Sequence, residues 1–219
     1  MLNNIELIIF DLDGTLVDSQ FDLADGVNHA LEAMNRDLID QEEVQGFIGG
    51  GVKKLVEQAF GNASDSNVQE EAMRLFNDYY HNNLTTKTRP YDGVLEVVKY
   101  FYNLKKAVFS NKLNELTVRI IDELNLNSFF DIVQGSDITK YKSKPSPEGI
   151  ALILEKLNVK PQNAIMVGDS THDMHAAQAA GVLTCAVTYG YREESILVKE
   201  NPDFIIHKPI ELIDLFKNS

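Results

Sequence analysis

Leu7-Ile8-Ile9-Phe10 runs directly into Asp11-Leu12-Asp13-Gly14-Thr15, and this junction decides how the whole chain reads. The apolar run from Ile5 to Phe10 is rich in Ile and Leu and ends on a turn signal, which predicts a strand. Two carboxylates spaced i, i+2 then fall where that strand stops. Open α/β sheets place their sites at the carboxyl ends of strands. Like-charge repulsion and desolvation make such a pair costly unless a cation or a substrate compensates. The junction therefore predicts chemistry rather than architecture.

Working outward from it, the chain changes character twice. Between residues 19 and 88, Val27, Ala30, Leu31 and Met34 recur at helical spacing, as do Val52, Leu55, Val56, Ala59 and Phe60. A third helical pattern runs through Met73, Leu75, Phe76 and Tyr79, and no strand is predicted here. From Pro90 onward strands and helices alternate. Strands are predicted at 107–109, 131–133, 164–167, 183–187 and 204–206, with helices at 114–125, 147–157, 171–180 and 209–216. Gly181 ends the third of these helices. Alternation of this kind implies a parallel sheet with helices on both faces. The predicted fold is α/β, a doubly wound, Rossmann-like core over residues 1–16 and 89–219. An all-helical insertion over 17–88 completes it, hinged near Val17–Ser19 and Thr86–Pro90.

Composition limits the partners. The 219 residues carry a net charge of −13. In the helical stretch, 12 acidic side chains outnumber 5 basic ones. Phosphate backbones and anionic membranes need clustered Lys and Arg, so nucleic acid and membrane surfaces are not expected partners. A phosphate site would have to be assembled locally from a cation and a few donors. The single cysteine, Cys185, excludes an intramolecular disulfide and sits in an apolar run, as a buried small hydrophobe would. No basic segment leads into a long apolar stretch, and no apolar run spans a bilayer, so a cytoplasmic protein is expected.

Four predicted strand ends carry polar residues: Asp11 and Asp13; Ser110-Asn111; Lys144 in Lys144-Pro145-Ser146-Pro147; and Gly168-Asp169-Ser170-Thr171-His172-Asp173. Each has a plain structural reading. Asp13-Gly14 suits a turn. Ser146 before Pro147 suits a helix N-cap with proline at the first position. Ser170 and Asp173 have the spacing of a capping pair. His172 and His175 are poorly spaced for a metal and read as solvated helix residues. Four such sets at successive strand ends nevertheless fit one chemistry, phosphoryl transfer through an aspartate nucleophile. Attack on a phosphate dianion needs charge neutralisation, which predicts Mg²⁺ held by hard oxygens. Asp11 and Asp169 can supply those oxygens. Ser110 can donate to a phosphoryl oxygen, and Lys144 can balance negative charge. Asp13 can protonate the leaving alcohol and then activate water.

These segments resemble, in order, the four motifs of the haloacid dehalogenase superfamily: Asp-Leu-Asp-Gly-Thr-Leu-Val-Asp-Ser, the Ser110 strand end, Lys-Pro-Ser-Pro and Val-Gly-Asp-Ser-Thr-His-Asp. The resemblance covers residues 5 to about 188 and implies a doubly wound core with a mobile cap and Mg²⁺-dependent phosphate ester hydrolysis. By match, Asp11 is the nucleophile and Asp13 the acid/base, with Asp13 lending its backbone carbonyl to the metal. Ser110 and Lys144 bind phosphate, joined by Asn111 through its N–H or side chain, and Asp169 binds Mg²⁺. Asp173 supports the metal from behind or ligates it through water. A helical cap after the first motif resembles the subgroup of phosphoglycolate phosphatases, β-phosphoglucomutases and small pyrophosphatases. The segments around Lys144 and from Gly168 to Gly181 look closest to the first branch. Phe47-Ile48-Gly49-Gly50-Gly51-Val52-Lys53-Lys54 resembles that branch's substrate-facing loop, which implies substrate contacts from Gly50 and Lys53. The same stretch also reads as a flexible loop before a solvated helix. The expected partner is a small phosphorylated acid or sugar, met by a monomer or homodimer. A phosphomutase or a small pyrophosphatase is the alternative. A dehalogenase is disfavoured because it has no leaving alkoxide for Asp13 to protonate.

Overall fold

The structure is a computed structural model that describes residues 2–61 and 65–217. The chain opens with β1 (Leu7–Phe10) and β2 (Val17–Asp18), then α1 (Gln20–Ala33), α2 (Gln41–Phe47), α3 (Val52–Ala59) and α4 (Ser66–Tyr80). It continues through β3 (Arg89–Pro90), α5 (Val94–Tyr100), β4 (Lys105–Leu113), α6 (Asn114–Glu123), β5 (Ile132–Ser136) and α7 (Glu148–Leu157). It ends with β6 (Ala164–Gly168), α8 (Thr171–Ala180), β7 (Leu183–Val187), α9 (Glu194–Leu197), β8 (Phe204–Ile206) and α10 (Glu211–Lys217).

Six parallel strands form one sheet in the order β5-β4-β1-β6-β7-β8. Connections run one way from β1 through β4 to β5, then return to β6 on the other side of β1. The chain reverses direction between β1 and β6, and open sheets bind ligands in the crevice at such a reversal. All four residues of β1 are buried, because helices cover both faces of a parallel sheet. Leu7 and Ile9 pack with Ile150 and Ile153 of α7 and Ala176 and Ala177 of α8. Ile8 and Phe10 belong to the opposite layer, with Val97 of α5, Leu116 of α6 and Leu212 of α10. Each such side chain contributes about 1.5–3 kcal/mol relative to exposure.

The helical segment leaves and rejoins this core through a two-stranded antiparallel ribbon, with Val17 opposite Pro90 and Asp18 opposite Arg89. Buried Asp22 ties the start of α1 to the returning chain: its carboxylate accepts from the Lys87 and Thr88 amides and the Thr88 hydroxyl at 2.7–3.0 Å. Gly26 of α1 leaves room for Phe76 of α4, since a Cβ there would lie 2.9 Å from the ring.

Several local expectations change. The two-residue ribbon was not predicted, since two residues show no period. Helices α2 and α5 were also missed. Of its seven residues α2 buries only Val44, which leaves no apolar stripe. Strand β4 continues past Ser110 to Leu113, with a register shift against β5 after Phe109. Helix α7 begins at Glu148, so Pro147 rather than Ser146 holds the N-cap position. Cys185 is buried, as expected. Among the described residues no helix is long and apolar enough to cross a membrane.

Candidate active site

Asp11 follows β1 at the reversal point, and its amide donates to the Val167 carbonyl of β6 at 2.9 Å. The chain then turns tightly, with the Leu16 and Val17 amides both on the Leu12 carbonyl at 3.0 Å. Gly14 has φ +82°, and a Cβ there would stand 2.2 Å from Asp169 Oδ2. Glycine at 14 thus serves both the left-handed backbone and the close approach of the β6 end.

Lys144, with a side chain only 2% exposed, binds the β1, β4 and β6 ends together. Its Nζ lies 2.8 Å from Asp11 Oδ1 and 2.6 Å from Asp173 Oδ1, and it donates to the Phe109 carbonyl at 2.8 Å. Asp173 also closes a capping box at the start of α8. Its Oδ2 accepts from the Ser170 amide and hydroxyl, while its own amide donates to Ser170 Oγ. The structural and chemical readings of Asp173 therefore hold together, one carboxylate oxygen serving each. Asp169 Oδ2 accepts from the Tyr191 amide at 2.7 Å.

Asp11, Asp169 and Asp173 converge, with one carboxylate oxygen from each within 4.8 Å of the others, and all three are buried. Burial and the Asp173 carboxylate push Asp11 up to about 7 against the pull of Lys144. Burial, Asp11 and Asp173 hold Asp169 well above the usual carboxylate range. Burial disfavours the ammonium of Lys144, but Asp11 and Asp173 outweigh it and keep the lysine charged. Three carboxylates thus face one ammonium. Asp11 Oδ1 is buried without a hydrogen-bond partner, the lysine contact being an ion pair outside hydrogen-bond geometry. Three buried carboxylates converging around one ammonium make a hard-oxygen cluster short of positive charge, which is what a small divalent cation fits.

Asp13 turns to another set of partners. Its Oδ1 accepts from Ser19 Oγ at 2.5 Å and lies 3.1 Å from Lys112 Nζ. Lys112 in turn donates to Tyr80 Oη of α4 at 2.8 Å. Ser19 stands at the N-cap position of α1, yet its hydroxyl makes no cap bond. Buried Ser110 faces the same space, and its Oγ accepts from the Lys112 amide at 3.2 Å. Asn111 holds two chain segments: it accepts from the Lys144 amide and donates to the Lys144 and Gly49 carbonyls.

Between these groups and the helical segment lies a cavity of about 30 Å³, lined by Asp11, Asp13, Ser110 and Lys112 and by Ile48, Val52 and Leu55 opposite. Gly49 and Gly51 line it too, whereas Gly50 lies against the side chain of Lys54. Lys53 is not brought in. Its side chain is 82% exposed and pairs with Glu57 at 3.8 Å, because this face of α3 points to solvent. Arg192, which the sequence did not single out, donates to the Gly46 and Ile48 carbonyls at 2.8 and 2.7 Å. Lys112 was also missed, although it stands two residues past Ser110 at the same strand end. His172 is half-buried rather than solvated, and its Nδ1 has no partner. A larger open groove at the opposite end of β1, among Tyr100, Tyr102 and Phe216, holds none of these groups.

Comparison with known proteins agrees with this arrangement. The family profile described as haloacid dehalogenase-like hydrolase matches residues 8–187. A phosphoglycolate phosphatase of Aquifex aeolicus is 36% identical over 98% of both chains. One of Chromobacterium violaceum is 34% identical over 99% of both. The crystal structure of a predicted phosphoglycolate phosphatase from Haemophilus somnus superimposes with a TM-score of 0.92 at 28% identity, covering 99% of this chain and 100% of its own. With the profile running from β1 to β7 and curated relatives aligned end to end, the chain belongs to the haloacid dehalogenase-like hydrolases.

Proposed function

We propose that this chain is a cytoplasmic Mg²⁺-dependent phosphatase that hydrolyses a small phosphate monoester, with phosphoglycolate the first candidate. The observation that carries the reading is Asp11 at the reversal point, ion-paired to buried Lys144 and converging with Asp169 and Asp173. Full-length similarity to phosphoglycolate phosphatases supports the substrate class. Residues 1–16 and 89–219 form the catalytic core and 17–88 its cap.

Asp11 and Asp169 would hold Mg²⁺ by carboxylate oxygens and Asp13 by its backbone carbonyl, with Asp173 in support. Bound there, the ion neutralises phosphate charge and favours in-line attack. The Asp11 carboxylate attacks phosphorus as the bond to the ester oxygen breaks, and Asp13 gives that oxygen a proton. Water then attacks the aspartyl phosphate, Asp13 takes its proton, and phosphate leaves with Asp11 restored. Ser110 donates to a phosphoryl oxygen, and Lys144 supplies fixed positive charge. Asn111 holds the Lys144 backbone in place.

A cavity of about 30 Å³ holds a water or two but no phosphate ester. Substrate entry therefore requires the cap to open, and closure then excludes water from the leaving group. The test is phosphate release from a panel of small phosphomonoesters with and without Mg²⁺. The reading expects Mg²⁺-dependent release with the highest kcat/KM on phosphoglycolate. Absence of release from every ester with Mg²⁺ present overturns it, and transfer of phosphate between sugar hydroxyls without release favours a mutase.

A further inference from the structure

The cavity contains a cation that the phosphoryl chemistry above does not use. Lys112 is its only basic lining side chain, and that side chain is 2% exposed. Burying an ammonium costs several kcal/mol unless it is paired. Its Nζ donates to Tyr80 Oη at 2.8 Å and is ion-paired to Asp13 Oδ1 at 3.1 Å. Among the described residues no further acceptor is recorded for this ammonium, and its side chain lines the cavity. The opposite wall is apolar, with Leu23, Ile48, Val52 and Leu55. This lining offers a second anion one partner and a polyhydroxylated sugar few.

Position makes the donor specific. Ser110 and Lys112, at the end of β4, both line the cavity, and the Lys112 amide donates to Ser110 Oγ at 3.2 Å. Residues i and i+2 of a strand stand about 6.6 Å apart. A phosphoryl group held at Asp11 and Ser110 therefore puts the first one or two carbons of its ester within reach of Lys112.

We infer that Lys112 is a specificity residue, which binds a carboxylate one or two carbons from the ester oxygen and so selects phosphorylated hydroxy acids over neutral phosphate esters. The inference rests on the phosphatase reading and names the substrate class of the same site. Tyr80 acts through Lys112: its hydroxyl, from the cap helix α4, orients the ammonium toward the cavity.

The test compares phosphoglycolate with its neutral carboxamide, phosphoglycolamide, in the wild-type enzyme with Mg²⁺. A charge-assisted bond to a buried group predicts kcat/KM about 10- to 100-fold lower for the amide. In Lys112→Met that ratio should collapse toward unity, and in Lys112→Arg part of it should return. Equal kcat/KM for acid and amide in the wild-type enzyme overturns the inference without any variant having to fold. A Lys112→Met variant that loses both substrates by the same factor also overturns it and leaves Lys112 acting only through Asp13. Failure of the wild-type enzyme to hydrolyse any phosphomonoester instead removes the phosphatase reading, which is a separate result.

Discussion

The two walls of the cavity are built differently. On the core wall the charged groups are tied between elements: Lys144 joins Asp11, Asp173 and the Phe109 carbonyl, and the Tyr191 amide holds Asp169. On the helical wall the lining is apolar side chains and glycine backbone, and its loop meets the core through hydrogen bonds from Arg192 and Asn111 to the Gly46, Ile48 and Gly49 carbonyls. Such bonds contribute about 0.5–3 kcal/mol each, the larger values for charged donors. The core wall is thus the more tightly tied of the two. Under the proposed function, chemistry belongs to the first and admission to the second.

Five substitutions break or sharpen that contrast. The largest effect is expected for Asp11→Asn, which removes the nucleophile and should lower kcat by about 10⁴-fold or more while the protein stays folded, as checked by circular dichroism. Asp13→Asn should lower kcat about 10²- to 10⁴-fold with unchanged Mg²⁺ affinity by calorimetry, since only the proton carrier is lost. Gly14→Ala puts a methyl against Asp169 and strains a left-handed position, at a cost of about 1–3 kcal/mol in stability and a weaker Mg²⁺ titration. On the helical wall the effects shrink. Arg192→Met removes two bonds to the cap loop and should raise KM up to about tenfold with kcat less changed. Lys53→Ala, at an exposed position, should change kcat/KM by less than about twofold. A tenfold rise in KM for Lys53→Ala would mean that α3 turns this side chain inward during turnover.

What the sequence made legible follows the same division. Strand-end motifs are local: Asp11, Asp13, Ser110 and Asp169 each follow an apolar run that predicts a strand, while Lys144 and Asp173 lie in the turn before α7 and the first turn of α8 and are legible from their motifs. Lys112 and Tyr80 are 32 residues apart and meet only because α4 packs over β4. Arg192 meets Ile48 across 144 residues, and no local pattern marks either partner. Helix α2 carried a readable signal in Asp40, which caps the Glu43 amide, but its single buried residue gave no period to support it. Lys53 was legible only by resemblance, and side-chain direction on a helix is set by packing that resemblance does not report.

The central claim is that Asp11 carries the phosphoryl group. Its most direct test is to mix Asp13→Asn enzyme with Mg²⁺ and an aryl phosphate, whose leaving group needs no proton from Asp13, quench in acid and locate the adduct by mass spectrometry. The account predicts a phosphoryl group on Asp11, absent when Asp11→Asn is added to the same protein. An adduct on any other residue, or full turnover by a folded Asp11→Asn enzyme, would contradict it.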